Sequence, residues 1–150
     1  MPSENRFPAP SSMPRWEHFA HAADIGVRGY GHDVDEAFAQ AALAMIAVIA
    51  DPQRIEAHEA FSIECRAPDL EFLLVDWLNA LVYEIATRHM LFCAFDVHIL
   101  GHHLHATVWG ERIDIARHLP VVEVKGATFT ELRVAEFAPD QWIAQCIVDV

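Results

Sequence analysis

Residues 68–90 read PDLEFLLVDWLNALVYEIATRHM, and their spacing predicts the second of two amphipathic helices. Leu70, Leu73, Leu74, Trp77, Leu78, Leu81, Val82 and Ile85 recur at three- and four-residue steps, an apolar stripe at the helical period. Pro68-Asp69 suits the first turn, and Arg88 with His89 complements the dipole at the far end. Upstream, Val34, Ala37, Phe38, Ala41, Ala44, Met45 and Val48 repeat that spacing. Asp33 is placed to cap this first helix, with Glu36 three residues on in a carboxylate variant of the capping box. Asp51-Pro52 stops it, because a residue before proline avoids helical angles.

Around these helices the chain reads as strands, at 16–20, 25–30, 60–66, 92–100, 103–109, 121–125, 130–137 and 142–149. Gly101-His102 and Pro139-Asp140 are turn signals between alternating runs and mark hairpins. The order is strands, helix, strand, helix, then strands only. That order predicts a single α+β domain at 15–150, a mixed β-sheet with the two long helices packed on one face. Residues 1–14, rich in Pro and Ser, read as a flexible tail and lack the apolar stretch of a signal peptide.

Composition narrows the function. The 150 residues are 53% apolar, enough for a real core, and carry a formal net charge of −12. No Lys/Arg cluster is present to release counterions, so tight nucleic-acid binding by this chain alone is not expected. An acidic surface fits a basic protein partner or cation capture. The longest apolar run, residues 41–50, is half of the ~20 residues a membrane helix needs. Cys65, Cys93 and Cys146 are odd in number, lie in separate apolar runs and form no CxxC. They read as buried free thiols, and the protein as cytoplasmic. There is no phosphate loop, no GxSxG elbow and no HExxH.

Two carboxylates stand out. Asp24 lies in HFAHAADIGVRGY (18–30), and Asp149 lies in the final IVDV, both among apolar residues. If their strands are neighbours, the two anions converge, and they repel unless a cation lies between them. Ca²⁺, Mg²⁺ and Mn²⁺ take such oxygen ligands, and Val150 adds backbone and terminal oxygens. The alternative is an Asx-type turn at Asp24 and a solvated end at Asp149. His21 is placed to orient a carboxylate, or is an ordinary strand histidine. Lys125 closes an alternating run, on the face of Val121 and Glu123, and fits either a phosphate contact or a solvated edge lysine. His103 and His105 share a strand face near His98 and His102. They are a soft-metal pair lacking further ligands, or exposed hairpin imidazoles. Asp76 lies off its helix's apolar stripe and reads as solvated or partner-facing.

The segments HAADIGVRGYG, DEAFAQAALAM, LLVDWLNALVYE, VEVKGATF and the terminal WIAQCIVDV, in this order, resemble the archease family from Trp16 to the last residue. The resemblance implies an accessory, not an enzyme, for the RNA-splicing ligase that joins 2′,3′-cyclic-phosphate or 3′-phosphate ends to 5′-hydroxyl ends. It implies a divalent-metal site, commonly calcium with magnesium or manganese as alternatives, at Asp24, Asp149 and Val150. It implies a part for Lys125 in stimulating the ligase. Ala22 stands where the family usually has threonine, and KGATFT departs from the usual KAVTYH at Gly126, Phe129 and Thr130. Two other function classes are compatible with the residues: a metal-dependent phosphoesterase using Asp24 and Asp149, and a chaperone or modulator of an RNA-modifying enzyme.

Overall fold

The computed structural model describes residues 7, 9 and 12–150. The chain runs β1 (Arg15–His21), β2 (Asp24–Gly31), α1 (Val34–Ile49), a 3₁₀ turn (Pro52–Arg54), β3 (Glu59–Arg66) and α2 (Leu70–Arg88). It continues through β4 (Met90–Leu100), β5 (His103–Arg112), α3 (Ile115–His118), β6 (Gly126–Ala127), β7 (Arg133–Ala138) and β8 (Gln141–Asp149). The α+β class and both long helices are as expected. Most of the expected tail lies outside the described residues. Of its described part, Met13 is buried, and Phe7 stacks on Phe137 at 4.1 Å.

The strands form two antiparallel sheets in place of one mixed sheet. One has the order β1-β2-β8-β6, with β7 also on β8, and the other has the order β3-β5-β4. The physical reason is the route of the chain. The crossover through α1 leads from β2 into β3, which joins a different sheet, so no parallel pair arises. Both helices contact both sheets and fill the space between them. Each helix therefore lies against one face of each sheet. This is why α1 buries Ala42 and Ile46 in addition to its predicted stripe. Trp77 is fully buried between the layers, where its indole N–H donates to the Phe38 carbonyl of α1 at 3.0 Å.

The helix starts follow the local chemistry. Asp33 accepts from the Glu36 N–H at 2.8 Å, while Glu36 reaches back to the His32 N–H at 2.7 Å. Asp69 accepts from the Phe72 N–H at 2.8 Å. The run at 121–125 is irregular chain instead of a strand. Val121 donates its N–H to the Ile49 carbonyl at 2.9 Å, and pairing on β8 begins only at Gly126. Alternation alone could not make this segment a strand without a neighbouring strand to pair with. The cysteines are free, as expected, but only Cys146 is buried; Cys65 and Cys93 are half-buried. Burial pushes the Cys146 thiol up to about 12, which makes it a poor nucleophile. Among the described residues no helix is long and apolar enough to cross a membrane.

One buried charge holds the end of β5 to the short helix α3. Glu111 is only 6% exposed. It is bonded by two Arg117 nitrogens, by the Glu56 N–H at 2.6 Å and by the His118 ring at 3.0 Å. Arg117 holds the carboxyl well below the usual range, against burial, which raises it; the Glu56 N–H and His118 add to the lowering. A carboxylate whose pKa is lower in the folded chain stabilises the fold above its unfolded value, and that stability is lost as pH falls through the folded value. Urea midpoints are therefore expected to fall progressively below about pH 5. In Glu111→Gln the midpoint at pH 7 is expected to be lower and its drop on acidification smaller. An acid dependence equal to that of the native chain would contradict this role.

Candidate functional site

The HAAD turn joins β1 to β2 through Ala22-Ala23, with Ala22 at φ 54. This left-handed geometry matches the twist of a tight hairpin and is costly for any residue with a Cβ. It brings Asp24 directly across from His21. On the other side of β2 the ladder with β8 runs from Gly31↔Trp142 to Ile25↔Val148. That ladder ends one residue short of Asp24 on β2 and of Asp149 on β8, so its register points the two toward the same end of the sheet. Residues opposite each other on neighbouring strands project to the same face. The sequence's two carboxylates, far apart in the chain, thus come to the same end of two neighbouring antiparallel strands.

The face they share is the one turned away from the helices. A Cβ on Gly29 would lie 2.2 Å from the Ala37 carbonyl of α1, so odd-numbered β2 positions face the helix layer. Asp24, Arg28 and Tyr30 occupy the opposite face. Farther along this face Arg28 donates to Glu17 at 2.8 Å and to Gln145 at 2.7 Å, and Tyr30 donates to Glu17 at 2.9 Å. Burial raises the Tyr30 hydroxyl pKa and the Glu17 carboxylate raises it further, to about 12. Burial also pushes Glu17 up, but the bonds from Arg28 and Tyr30 outweigh it and hold that carboxyl low. Beside this network is a concavity of about 640 Å³, lined by Arg28, Tyr30, Phe129, Glu131, Arg133 and Gln145 among others.

Asp149 is the junction of the site. Its carbonyl accepts the Lys125 N–H at 2.7 Å, and Gly126 pairs with it in register. Lys125 is exposed, as are Asp24, Asp149 and Val150. Asn79 of α2 fixes this segment by accepting the Ala127 N–H at 2.9 Å. Sequence reading passed over Asn79, because a polar residue on a helix's outer edge carries no local sign of its partner. It also passed over Glu131, whose carboxylate lies 3.5 Å from the His21 ring. Asp76 is exposed, as its place off the stripe implied.

The donor set at this end of the sheet suits a hard cation. Asp24 and Asp149 make no ion pair among the described residues. The groups are carboxylates and main-chain oxygens, the ligand type of calcium and magnesium and not of a thiolate site. The Nδ1 of His21, the residue paired with Asp24 across the β1–β2 turn, is buried with no hydrogen-bond partner among the described residues.

Residues 16–150 match the Archease protein family. The chain belongs to the archease family. A protein archease from Pyrococcus abyssi is 36% identical over 142 residues, 92% of this chain and all of that protein. One from Methanosarcina barkeri is 37% identical, over 91% of this chain and 96% of the relative. The solution structure of Methanobacterium thermoautotrophicum protein 1598 superposes with a TM-score of 0.72 at 32% identity, covering 90% of this chain and 98% of that one. The archease fold thus accounts for the whole arrangement from β1 to β8.

Proposed function

We propose that this archease is an accessory protein, not itself an enzyme, that activates an RNA ligase joining 3′-phosphate or 2′,3′-cyclic-phosphate ends to 5′-hydroxyl ends in the cytoplasm. What supports the reading is the β2–β8 ladder, whose register reaches Ile25↔Val148 and so brings Asp24 and Asp149 to the same exposed end of neighbouring strands, with the Lys125 main chain bound to Asp149. Asp24, Asp149 and a main-chain oxygen of Val150 would hold the ion, calcium first, with magnesium or manganese as alternatives. A bound divalent cation supplies positive charge for a phosphate. The chain's residues do the rest: two carboxylates orient the ion, and Lys125 offers its exposed ammonium to phosphate or to the ligase. The net charge of −12 favours rapid encounter with the basic RNA-binding mouth of such a ligase.

The test is multiple-turnover ligation with limiting cognate ligase. Adding the native chain is expected to raise the yield per ligase. Asp24→Ala is expected to weaken cation binding, and with it the stimulation, by about 10–100-fold. Lys125→Ala is expected to retain the cation but stimulate poorly. A ligation rate indifferent to the protein would overturn the proposal.

A further inference from the structure

A second cluster lies on the outer face of the three-stranded sheet, on a different sheet from Asp24 and Asp149. His103 and His105 both project from β5, and Glu64 of β3 stands directly across from His105. His98 of β4 stands across from His105 on the other side. The His103 Nε2 lies 2.6 Å from Glu64 Oε1, and His105 Nε2 lies 4.0 Å from the same oxygen. The two imidazole rings are 4.2 Å apart, centre to centre. One ligand atom from each of Glu64, His103 and His105 falls within 4.8 Å of the others. A tetrahedral zinc site needs separations of roughly 3.3 Å, given bonds of about 2.0–2.1 Å. Small side-chain rotations close that gap, and Glu64 and His105 are exposed enough to make them.

We propose that Glu64, His103 and His105 form a site for a borderline transition metal, zinc above all, with a water-accessible fourth position beside His98. Two imidazoles and one carboxylate select zinc, nickel or copper over calcium and magnesium, which prefer oxygen alone. Zinc on the His103 Nε2 requires the imidazole in its neutral form with the ring proton on Nδ1, so any proton held between Nε2 and Glu64 leaves to solvent as the ion binds. Because the ligands come from β3 and β5, the ion joins two strands of the sheet. A second grouping of this kind among the described residues, Glu56, His58 and Glu111, differs in that Glu111 is already occupied by Arg117 and His118.

The test is calorimetric titration of the full, untagged, metal-free chain with zinc chloride, with helicity checked by circular dichroism. The native chain is expected to bind one zinc ion at this site and to gain in Tm as it does so. His103→Ala with His105→Ala is expected to weaken that binding by about a hundredfold or more, since two of three ligands are gone. Glu64→Gln keeps the shape of the side chain and is expected to weaken it by about tenfold. Glu71→Gln, at an exposed carboxylate of α2 outside both clusters, is expected to leave it unchanged. The site is refuted if zinc binds the double histidine variant as it binds the native chain, or if the native chain takes up no zinc.

Discussion

Gly29→Val is expected to leave the chain unable to fold. Gly29 is buried on β2, between Trp16 of β1 and Ala144 of β8. A Cβ there would lie 2.2 Å from the Ala37 carbonyl oxygen, 2.3 Å from the Ala41 nitrogen and 2.8 Å from the Gln40 carbonyl carbon. All of these are backbone atoms of α1, so no rotamer change relieves the clash. The helix must move off the sheet, and the other sheet blocks it from behind. Even Gly29→Ala is expected to cost about 3 kcal/mol, the upper range of overpacking in a dense core. Valine adds two more methyl groups against that backbone, in a domain whose whole stability is of order 5–15 kcal/mol. Soluble yield and the far-ultraviolet dichroism of the two variants measure this. Gly101 is the contrast. It has φ 63 but open space around its Cβ direction, so Gly101→Ala is expected to carry only the left-handed penalty, about 1 kcal/mol. A folded Gly29→Val chain with native Tm would mean that α1 does not rest on β2 as described.

Trp77→Ala is the second large effect. The side chain is fully buried, bonded to α1 through Phe38, and meets the Phe95 ring of β4 edge-on at 5.9 Å. It therefore links α1, α2 and the second sheet. Truncation removes the transfer energy of the indole and leaves a cavity that these layers cannot easily fill, at about 3–5 kcal/mol. At about 3 °C per kcal/mol for a domain of this size, Tm is expected to fall by roughly 10 °C. Trp77→Phe keeps most of the packing but loses the bond to Phe38, and is expected to cost about 1–2 kcal/mol. Equal losses for the two variants would show that the hydrogen bond, and not the packed volume, dominates at this position.

Both effects separate from the proposed activity. Asp24 and Asp149 are exposed, so their replacement should alter cation binding and ligase stimulation with little change in Tm. The archease fold positions these acids through the β2–β8 ladder, and Gly29 lies on that same ladder. A clash at Gly29 thus removes the candidate site by removing its scaffold, whereas Asp24→Ala removes one proposed ligand from an intact scaffold.

What the sequence determined by itself is what neighbours along the chain control. The cap at Asp33, the start of α2 at Pro68-Asp69, the stripes of α1 and α2, and the turns at Gly101 and Asp140 all follow from residues within a few positions of one another. The family likeness, carried by several ordered segments, was legible for the same reason. Tertiary structure alone decided the division into two sheets, the irregular course of 121–125, the hold of Asn79 on β6 and the closure of Arg117 and His118 over Glu111. It also decided that Asp24 and Asp149 lie at the same end of neighbouring strands. Strand pairing is a contact between distant residues, and a shift of one position turns every side chain to the other face. Alternation tells which residues share a face of one strand; only the folded register tells which strand, and which carboxylate, lies beside it.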